Sequence, residues 1–398
     1  MAPTAFILLD ACRGEYLERG RTPFLERLAD EAFFAERVRP TFGFCERSEI
    51  LTGRDAVTAG FFTAIGYAPD VSPFREWEGR LRLLGSIAEA LPGPMCRAFD
   101  KVVRAWLRGA GFAMKPYRIP IAWLPRFALT EDRFAPNDPR AYGGGSLLGV
   151  AEELGKRIDL TPFTYLGAPD GLDDDGRLQL AAARLDRDEV DLVFVYVSEL
   201  DSVGHRFGPD SAAMNTSLEA VDAKLARWVK ARGEGVNVIV VGDHGMHAVH
   251  DSVDVTPVLS AIASGSDGIR GPCWWFVDST MIRFWSEDRS DTDRITQLCD
   301  RWVAQGSGRL LTPQELERID PGRERVFGDV IFVCHPRWVL SPDFFRGASV
   351  PAGMHGYEPH HDDEKGVCIA RGPDIVPDRI DEMPLTDLHR LLLACFTR

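Results

Sequence analysis

The chain has 398 residues, of which 45% are hydrophobic, so wholesale disorder is excluded and a large α/β domain or two ordinary domains can form. Its formal net charge of −14 argues against nucleic acid or an anionic membrane as the main partner. The eight cysteines form no Cys-x-x-Cys pair, and we find neither a membrane-span-length apolar run nor a secretion signal. We therefore predict a cytoplasmic, globular protein with reduced thiols.

A buried strand is predicted at residues 5–10, where an apolar run ends in Asp10. Residues 22–36 have apolar side chains at helical spacing, with Pro23 near the start, which predicts a helix. Residues 41–53, TFGFCERSEILTG, are then predicted to form a loop that leads into a short helix ending at Thr52 and Gly53.

The strand pattern returns at residues 191–201 and 237–245, where β-branched runs end in acids or histidine. Between them, residues 211–233 have the pattern of an amphipathic crossover helix that ends near Gly233. This alternation favours an α/β fold with a mostly parallel sheet and helices on both faces. Functional groups in such sheets gather at the carboxyl ends of the strands.

Two segments interrupt the alternation, at residues 68–145 and 265–345, and both are rich in aromatic residues and arginine. We interpret them as insertions into a single catalytic domain that covers residues 1–398, and we expect them to line the substrate side of the site. Trp274, Trp275 and Trp285 in the second insertion could pack its core or stack on a base or sugar.

Candidate metal ligands follow the predicted strands, and one more lies in a glycine-flanked loop. They are Asp10, Asp201, His205, Asp243, His244 and His355. Carboxylates and neutral imidazoles are the ligands that Zn²⁺ prefers. A lone aspartate at a strand end often caps a helix, and a lone histidine is more often structural, so the prediction depends on the whole set. We expect a tight turn after Asp201 to bring His205 back to the same cation.

Other histidines and acids are interpreted differently. His247 is predicted to lie in a surface turn. His360, His361 and the three acids that follow them are predicted to form a solvated loop, with a third cation site as the alternative.

Around these candidate ligands, the sequence resembles the nucleotide pyrophosphatase/phosphodiesterase branch of the alkaline phosphatase superfamily. The segments that carry the resemblance are DACRGEYLERGRTPFLERLA, LTGRDAVTAG, DSVGHRFGPDS, GDHGM and GMHGYEP, and they span most of the chain in the family's order. The resemblance implies an alkaline-phosphatase-like fold and two divalent metal ions, usually zinc, with manganese or iron as alternatives. By motif, one ion would be held by Asp201, His205 and His355. The other would be held by Asp10, Asp243 and His244.

The attacking residue departs from the family's pattern. The family has threonine or serine nine residues before the threonine of its Thr-Gly step, and this chain has Gly43 there. Cys45 and Thr41 lie two residues to either side. We prefer Cys45, because a thiol near a cation and a helix amino terminus becomes a thiolate; a metal-bound hydroxide is the third possibility. Gly43, Phe44 and Arg47 are predicted substrate contacts at this helix start, where free amides can bind phosphate.

The predicted function is a bimetallic phosphohydrolase, a phosphodiesterase or nucleotide pyrophosphatase that acts on a small phosphate ester or nucleotide-like substrate by in-line attack. Neither nucleic acid nor a membrane is expected as a partner, and no oligomeric state is predicted. Hydrolysis of a phosphomonoester, phosphonate or sulfate ester is the alternative within the superfamily. A metal-stabilised binding protein that has lost the nucleophile is the alternative outside enzymes.

Overall fold

The computed structural model describes residues 1–43, 46–130, 142, 145–163, 171–265, 268–322 and 324–397. This part of the chain divides into two compact units. The first unit contains the described residues within 1–61, 142–249 and 351–397, and the second contains those within 62–130 and 250–350. Two residues predicted for the site, Phe44 and Cys45, lie outside the described residues.

The described strands are numbered in chain order. They are β1 (Thr4–Leu9), β2 (Phe33–Arg39), β3 (Ile65–Tyr67), β4 (Phe127–Leu129), β5 (Ile158–Asp159), β6 (Leu192–Val197), β7 (Asn237–Val241), β8 (His247–Ala248), β9 (Asp251–Asp254), β10 (Cys273–Val277), β11 (Met281–Ser286), β12 (Gly308–Leu310), β13 (Val330–Cys334), β14 (Trp338–Ser341), β15 (Gly353–Met354), β16 (Gly366–Arg371) and β17 (Asp378–Pro384).

The described α-helices are numbered in the same way. They are α1 (Glu15–Glu18), α2 (Pro23–Glu31), α3 (Glu46–Thr52), α4 (Ala56–Ala59), α5 (Glu78–Ala90), α6 (Gly93–Gly109), α7 (Leu147–Glu153), α8 (Asp174–Asp186), α9 (Glu199–Phe207), α10 (Ala212–Arg232), α11 (Thr256–Ser264), α12 (Thr292–Ala304), α13 (Pro313–Ile319) and α14 (Asp387–Thr397). None of these helices combines the length and apolar character needed to cross a membrane.

The first unit is built on a seven-stranded sheet with the order β17-β2-β16-β7-β1-β6-β5. Strand β1 pairs in parallel with both β6 and β7, whereas β16 runs antiparallel to both of its neighbours. The predicted mostly parallel α/β sheet is therefore confirmed. Because the three predicted strands lie side by side in parallel, the segments that follow them emerge at the same edge of the sheet.

Both faces of this sheet are buried. On β1, the side chains of Ile7 and Leu9 belong to one apolar cluster, and those of Phe6 and Leu8 belong to a second cluster on the opposite face. The predicted crossover helix is confirmed as α10. It ends at Gly233, whose positive φ of 70° suits a residue without a side chain.

The predicted helix at residues 22–36 is wrong in its last third. Helix α2 ends at Glu31, and residues 33–39 form β2, which pairs with both β16 and β17. Apolar spacing does not separate a short buried strand from a continuing helix, and here the pairing with two neighbouring strands decides.

The second unit contains residues from both predicted insertions and has an antiparallel sheet of its own, with the order β10-β11-β13-β12. The sequence interpretation placed these segments within a single domain and did not anticipate that they share a unit. Trp274, Trp275 and Trp285 are all buried, and the Trp285 ring stacks on Tyr67, which supports their packing role. The expectation that the insertions line the substrate site stays a prediction.

Candidate metal centre

Four elements of the first unit present the predicted ligands, and His355 directly follows one of them, β15. Asp10 directly follows β1, and Asp243 and His244 lie two and three residues after the end of β7. Asp201 does not end a strand, so the predicted tight turn is wrong. Strand β6 ends at Val197, and Asp201 lies one helical turn before His205 on α9. Residues four apart share a helix face, so the helix, and not a turn, brings Asp201 and His205 to the same place.

Asp174 on α8 explains why α9 begins where it does. Its carboxylate accepts hydrogen bonds from the backbone amides of Ser198, at 2.9 Å, and Glu199, at 3.1 Å. The first amides of a helix have no partner within the helix, and these bonds satisfy two amides at the start of α9. Asp174 therefore fixes the position of the helix that carries Asp201 and His205.

The first cluster consists of Asp201, His205 and His355, all partly buried. His205 Nε2 lies 3.0 Å from Asp201 Oδ1, and His355 Nε2 lies 3.5 Å from the same oxygen. One possible ligand atom from each residue lies within 4.8 Å of the other two. The structure thus brings together three residues that are separated by up to 154 positions in the sequence.

The second cluster consists of Asp10, Asp243 and His244, and it is more deeply buried. His244 Nε2 lies 3.0 Å from Asp10 Oδ1 and 3.8 Å from Asp243 Oδ2. The rings of His244 and His355 stack with their centroids 3.9 Å apart, so the two clusters adjoin each other. The grouping predicted from the sequence is observed, while the role of these six residues as ligands stays a prediction.

The tautomers of two histidines favour a cation in each cluster. His205 Nδ1 lies 2.8 Å from the carbonyl oxygen of Gly353, and His244 Nδ1 lies 2.8 Å from that of Gly245. Because a carbonyl only accepts, Nδ1 carries a proton, and Nε2 lies 3.0 Å from a carboxylate oxygen. Two electron-rich atoms repel at this distance unless a proton or a cation lies between them. The residues therefore fit a divalent metal ion.

The charges in the second cluster also favour a bound cation. Burial raises the pKa of Asp243 to about 7. Burial opposes the charged form of His244, but the carboxylates of Asp243 and Asp10 outweigh it and raise the pKa of His244 well above its usual value. Without a cation, this buried group therefore retains protons near neutral pH. A metal ion that binds there would displace them, which couples metal affinity to pH.

Three residues near the clusters were missed by the sequence analysis. The Tyr196 hydroxyl, on β6, donates a hydrogen bond to Asp10 Oδ2. Glu364, predicted to be solvated, is buried, and its Oε1 accepts hydrogen bonds from the backbone amides of Gly356 and Tyr357, directly after His355. His247, predicted to lie in a surface turn, is also buried, and its Nε2 lies 3.2 Å from Glu364 Oε2. Glu364 thus ties the His355 loop to strand β8.

Replacing Glu364 by alanine is expected to weaken zinc binding about 10- to 100-fold, because the loop that carries His355 loses two hydrogen bonds to its backbone. Competition with a chromophoric chelator measures this affinity. The exposed Glu234, changed to alanine in the same way, is the control and should bind zinc like the wild type. Equal zinc affinities in both variants would show that Glu364 does not position His355.

The residues predicted for attack and substrate contact lie around α3. The Thr41 hydroxyl donates a hydrogen bond to Glu49 Oε1, and the Thr41 amide donates to Glu49 Oε2 at 3.3 Å. Gly43 has a φ of 134°, a backbone conformation that favours glycine, which gives a structural reason for glycine at this position. Arg47 is buried, with its guanidinium 5.3 Å from the ring centre of Phe163. The substrate contacts proposed for Gly43, Phe44 and Arg47 stay predictions.

Two carboxylates of α3 are perturbed by burial. Burial raises the pKa of Glu49 to about 7 and that of Glu46 to about 8, and the charge of Asp243 contributes to both shifts. The second cluster therefore lies within electrostatic reach of α3. The sequence analysis did not single out Glu49, because a glutamate in the first turn of a helix is usually solvated.

A buried Glu49 makes the stability of the metal-free protein depend on pH. Its pKa is higher in the folded state than the ordinary value of 4.5, so the folded state is favoured at low pH and loses stability as pH rises from about 4.5 to about 7. Glu49→Gln should reduce this loss by about 3 kcal/mol, the equivalent of the pKa shift. Urea unfolding at pH 5 and pH 8 measures it, with Glu234→Gln as control; an unchanged loss would contradict the assignment.

Comparison with known proteins places these features in a family. Residues 4–358 match the family model described as "Type I phosphodiesterase / nucleotide pyrophosphatase". The chain belongs to this family. The resemblance found in the sequence motifs is therefore confirmed.

Curated relatives share only part of their length with the chain. An uncharacterised pyrophosphatase/phosphodiesterase of Schizosaccharomyces pombe is 38% identical over 87 residues, which are 20% of this chain and 18% of that protein. Ectonucleotide pyrophosphatase/phosphodiesterase family member 3 of Rattus norvegicus is 26% identical over 216 residues, which are 50% of this chain and 23% of that protein. The aligned region thus spans less than a quarter of either relative.

The fold is similar to that of solved family structures over nearly the whole chain. Murine ectonucleotide pyrophosphatase/phosphodiesterase 5 matches with a TM-score of 0.69 and 16% identity, covering 99% of this chain and 95% of that one. A second structure of the murine protein, described as an inactive threonine-to-alanine variant in complex with AMP, matches with a TM-score of 0.68 and 16% identity, covering 100% of this chain and 95% of that one. The expected fold is confirmed.

Proposed function

We propose that this protein is a metal-dependent phosphodiesterase or pyrophosphatase that cleaves a small, nucleotide-like substrate. The observation that carries the proposal is the pair of adjoining clusters, each with carboxylate and imidazole atoms within 4.8 Å of one another. Family membership supports the reaction class. The complex of a related murine protein with AMP supports a nucleotide-like substrate.

In this proposal Asp201, His205 and His355 hold one divalent cation, and a second is held by the other cluster, Asp10 with Asp243 and His244. Zinc is the preferred metal, with manganese or iron as alternatives that accept the same ligands. When bound, the cations would supply charge neutralisation at the phosphoryl group and at the attacking and leaving oxygens. The hydrogen bonds from Nδ1 of His205 and His244 to backbone carbonyls would leave Nε2 of each ring available to a cation.

We assign the attacking oxygen to Thr41. The Thr41 hydroxyl donates a hydrogen bond to Glu49, so the lone pairs of the oxygen are available to attack phosphorus. Glu49 would accept the hydroxyl proton as the bond to phosphorus forms. A threonine-to-alanine variant of a related murine protein is described as inactive, which supports a hydroxyl as the attacking group. The matching position of this chain is Gly43, so the choice of Thr41 over Cys45 rests on the bond from the Thr41 hydroxyl to Glu49. In the reaction, the bond from Thr41 Oγ to phosphorus forms as the bond to the leaving oxygen breaks, and water then releases the phosphoryl group.

Turnover of two chromogenic substrates tests the reaction class. The metal-loaded protein should hydrolyse bis-p-nitrophenyl phosphate faster than p-nitrophenyl phosphate, and removal of metal should abolish both activities. A preference for the monoester would favour the phosphomonoesterase alternative. If the metal-loaded protein bound AMP tightly and hydrolysed neither compound, the binding-protein interpretation would replace the enzyme.

A further inference from the structure

Helix α6 in the second unit has an apolar stripe that the protein covers only in part. The Trp106 ring packs against Trp77, with the ring centroids 5.1 Å apart. Val103 and Leu107 are buried, as expected for the inner side of an amphipathic helix. Met95, Val102 and Trp106 lie on a different side and are 57%, 67% and 46% exposed. Their spacing of seven and four residues places them in one line along the helix. Single exposed apolar side chains are common on monomeric proteins, whereas a continuous line of them is typical of a surface that binds a partner.

Basic residues lie on another side of the exposed surface of α6, roughly 140° around the helix from this stripe. Arg97, Lys101 and Arg108 are exposed and also share one side of α6, since they are four and seven residues apart. No ion pair of these three is found within the described part of the chain, whereas Arg104 pairs with Asp100 at 2.7 Å. The exposed surface of α6 thus combines an apolar stripe with three positive charges that form no ion pair among the described residues.

The charge around α6 is opposite to that of the whole protein. Residues 75–118 contain nine lysines and arginines and four acids, a net charge of +5, within a chain of net charge −14. At physiological salt the Debye length is about 8 Å, so more distant surface charges are largely screened and the local composition decides what approaches the helix. An anionic surface is therefore complementary to α6 despite the acidic character of the chain.

We infer that α6 docks on an anionic lipid surface, with Met95, Val102 and Trp106 entering the interface and the three basic residues contacting the headgroups. A basic amphipathic helix with tryptophan on its apolar side suits the plane between headgroups and acyl chains. This differs from the expectation set by net charge alone, because the positive residues are concentrated in one segment. Docking would hold α6 at a membrane surface, and it does not depend on the proposed hydrolysis.

Co-sedimentation of the full chain with vesicles tests the inference. The protein should bind vesicles of phosphatidylcholine mixed with phosphatidylserine and not those of phosphatidylcholine alone. Val102→Asp should weaken binding more than about tenfold, since it removes an apolar contact and adds a negative charge. Changing Arg97, Lys101 and Arg108 together to glutamine should weaken it about a hundredfold, because each basic residue contributes roughly fivefold at such a surface.

Matched control variants test whether the loss of binding is specific to α6 or follows from any added negative charge or lost positive charge. Val376→Asp makes the same change at a valine that is 63% exposed, and glutamine at Arg27, Arg187 and Arg227 makes the same change in net charge. Both controls should bind like the wild type, and thermal melting verifies that all variants fold. Absence of binding, equal binding to both vesicle types, or unchanged binding of Val102→Asp would overturn the inference. So would a dimer in solution that Val102→Asp dissociates, since a second copy would then cover the stripe.

Discussion

Thr41→Val should lower kcat/KM for bis-p-nitrophenyl phosphate by at least about a thousandfold, whereas Cys45→Ala should leave it nearly unchanged. Valine is close to threonine in shape and lacks only the hydroxyl, which donates to Glu49 in the structure. Loss of the attacking oxygen removes the covalent step and leaves only substrate binding and charge neutralisation.

Two further measurements make this result decisive. Zinc content should be the same in both variants and the wild type, so that a loss of activity reports on attack and not on metal binding. Thr41→Ser should retain most of the activity, because serine supplies the same oxygen. If Cys45→Ala were inactive and Thr41→Val active, the thiol would be the nucleophile. If both variants were active, a metal-bound hydroxide would attack.

Asp201→Asn and Asp243→Asn should each remove one zinc ion and lower kcat/KM by about a thousandfold, beyond the 10- to 100-fold typical of outer-shell changes. Each change removes a negative charge from one cluster while it preserves the shape of the side chain. Asp300→Asn, at an exposed position on α12, is the matched control and should change neither metal content nor rate. Full activity with unaltered zinc in both cluster variants would contradict the assignment of ligands.

The strand ends could be predicted from sequence because parallel strands bury both faces and therefore appear as continuous apolar runs. Asp10, Asp243 and His244 follow two such runs, and the structure brings them together as expected. Helix α9 was missed, partly because Gly204 lowers helix propensity. A side chain at Gly204 would lie 2.3 Å from the sulfur of Met246, so close packing with another segment explains this glycine.

The residues that support the site could not be predicted in the same way. The bond from Tyr196 to Asp10 joins residues 186 positions apart, and the Glu364 bonds depend on the path of the His355 loop. These contacts form only when the sheet and the loops are assembled. A tyrosine within a strand or a glutamate within a loop does not by itself indicate a role in a metal site. The clustering of the two inserted segments in one unit likewise depends on tertiary packing.

Two cations per chain are the central claim, and elemental analysis of the metal-replete protein by mass spectrometry tests it most directly. The wild type should contain two divalent ions, and Asp201→Asn and Asp243→Asn should each contain one. Anomalous scattering from crystals of the wild type should place one ion among each group of three residues. A wild-type chain that contains no ion after equilibration with zinc, manganese and iron, or whose ions bind elsewhere, would contradict the account.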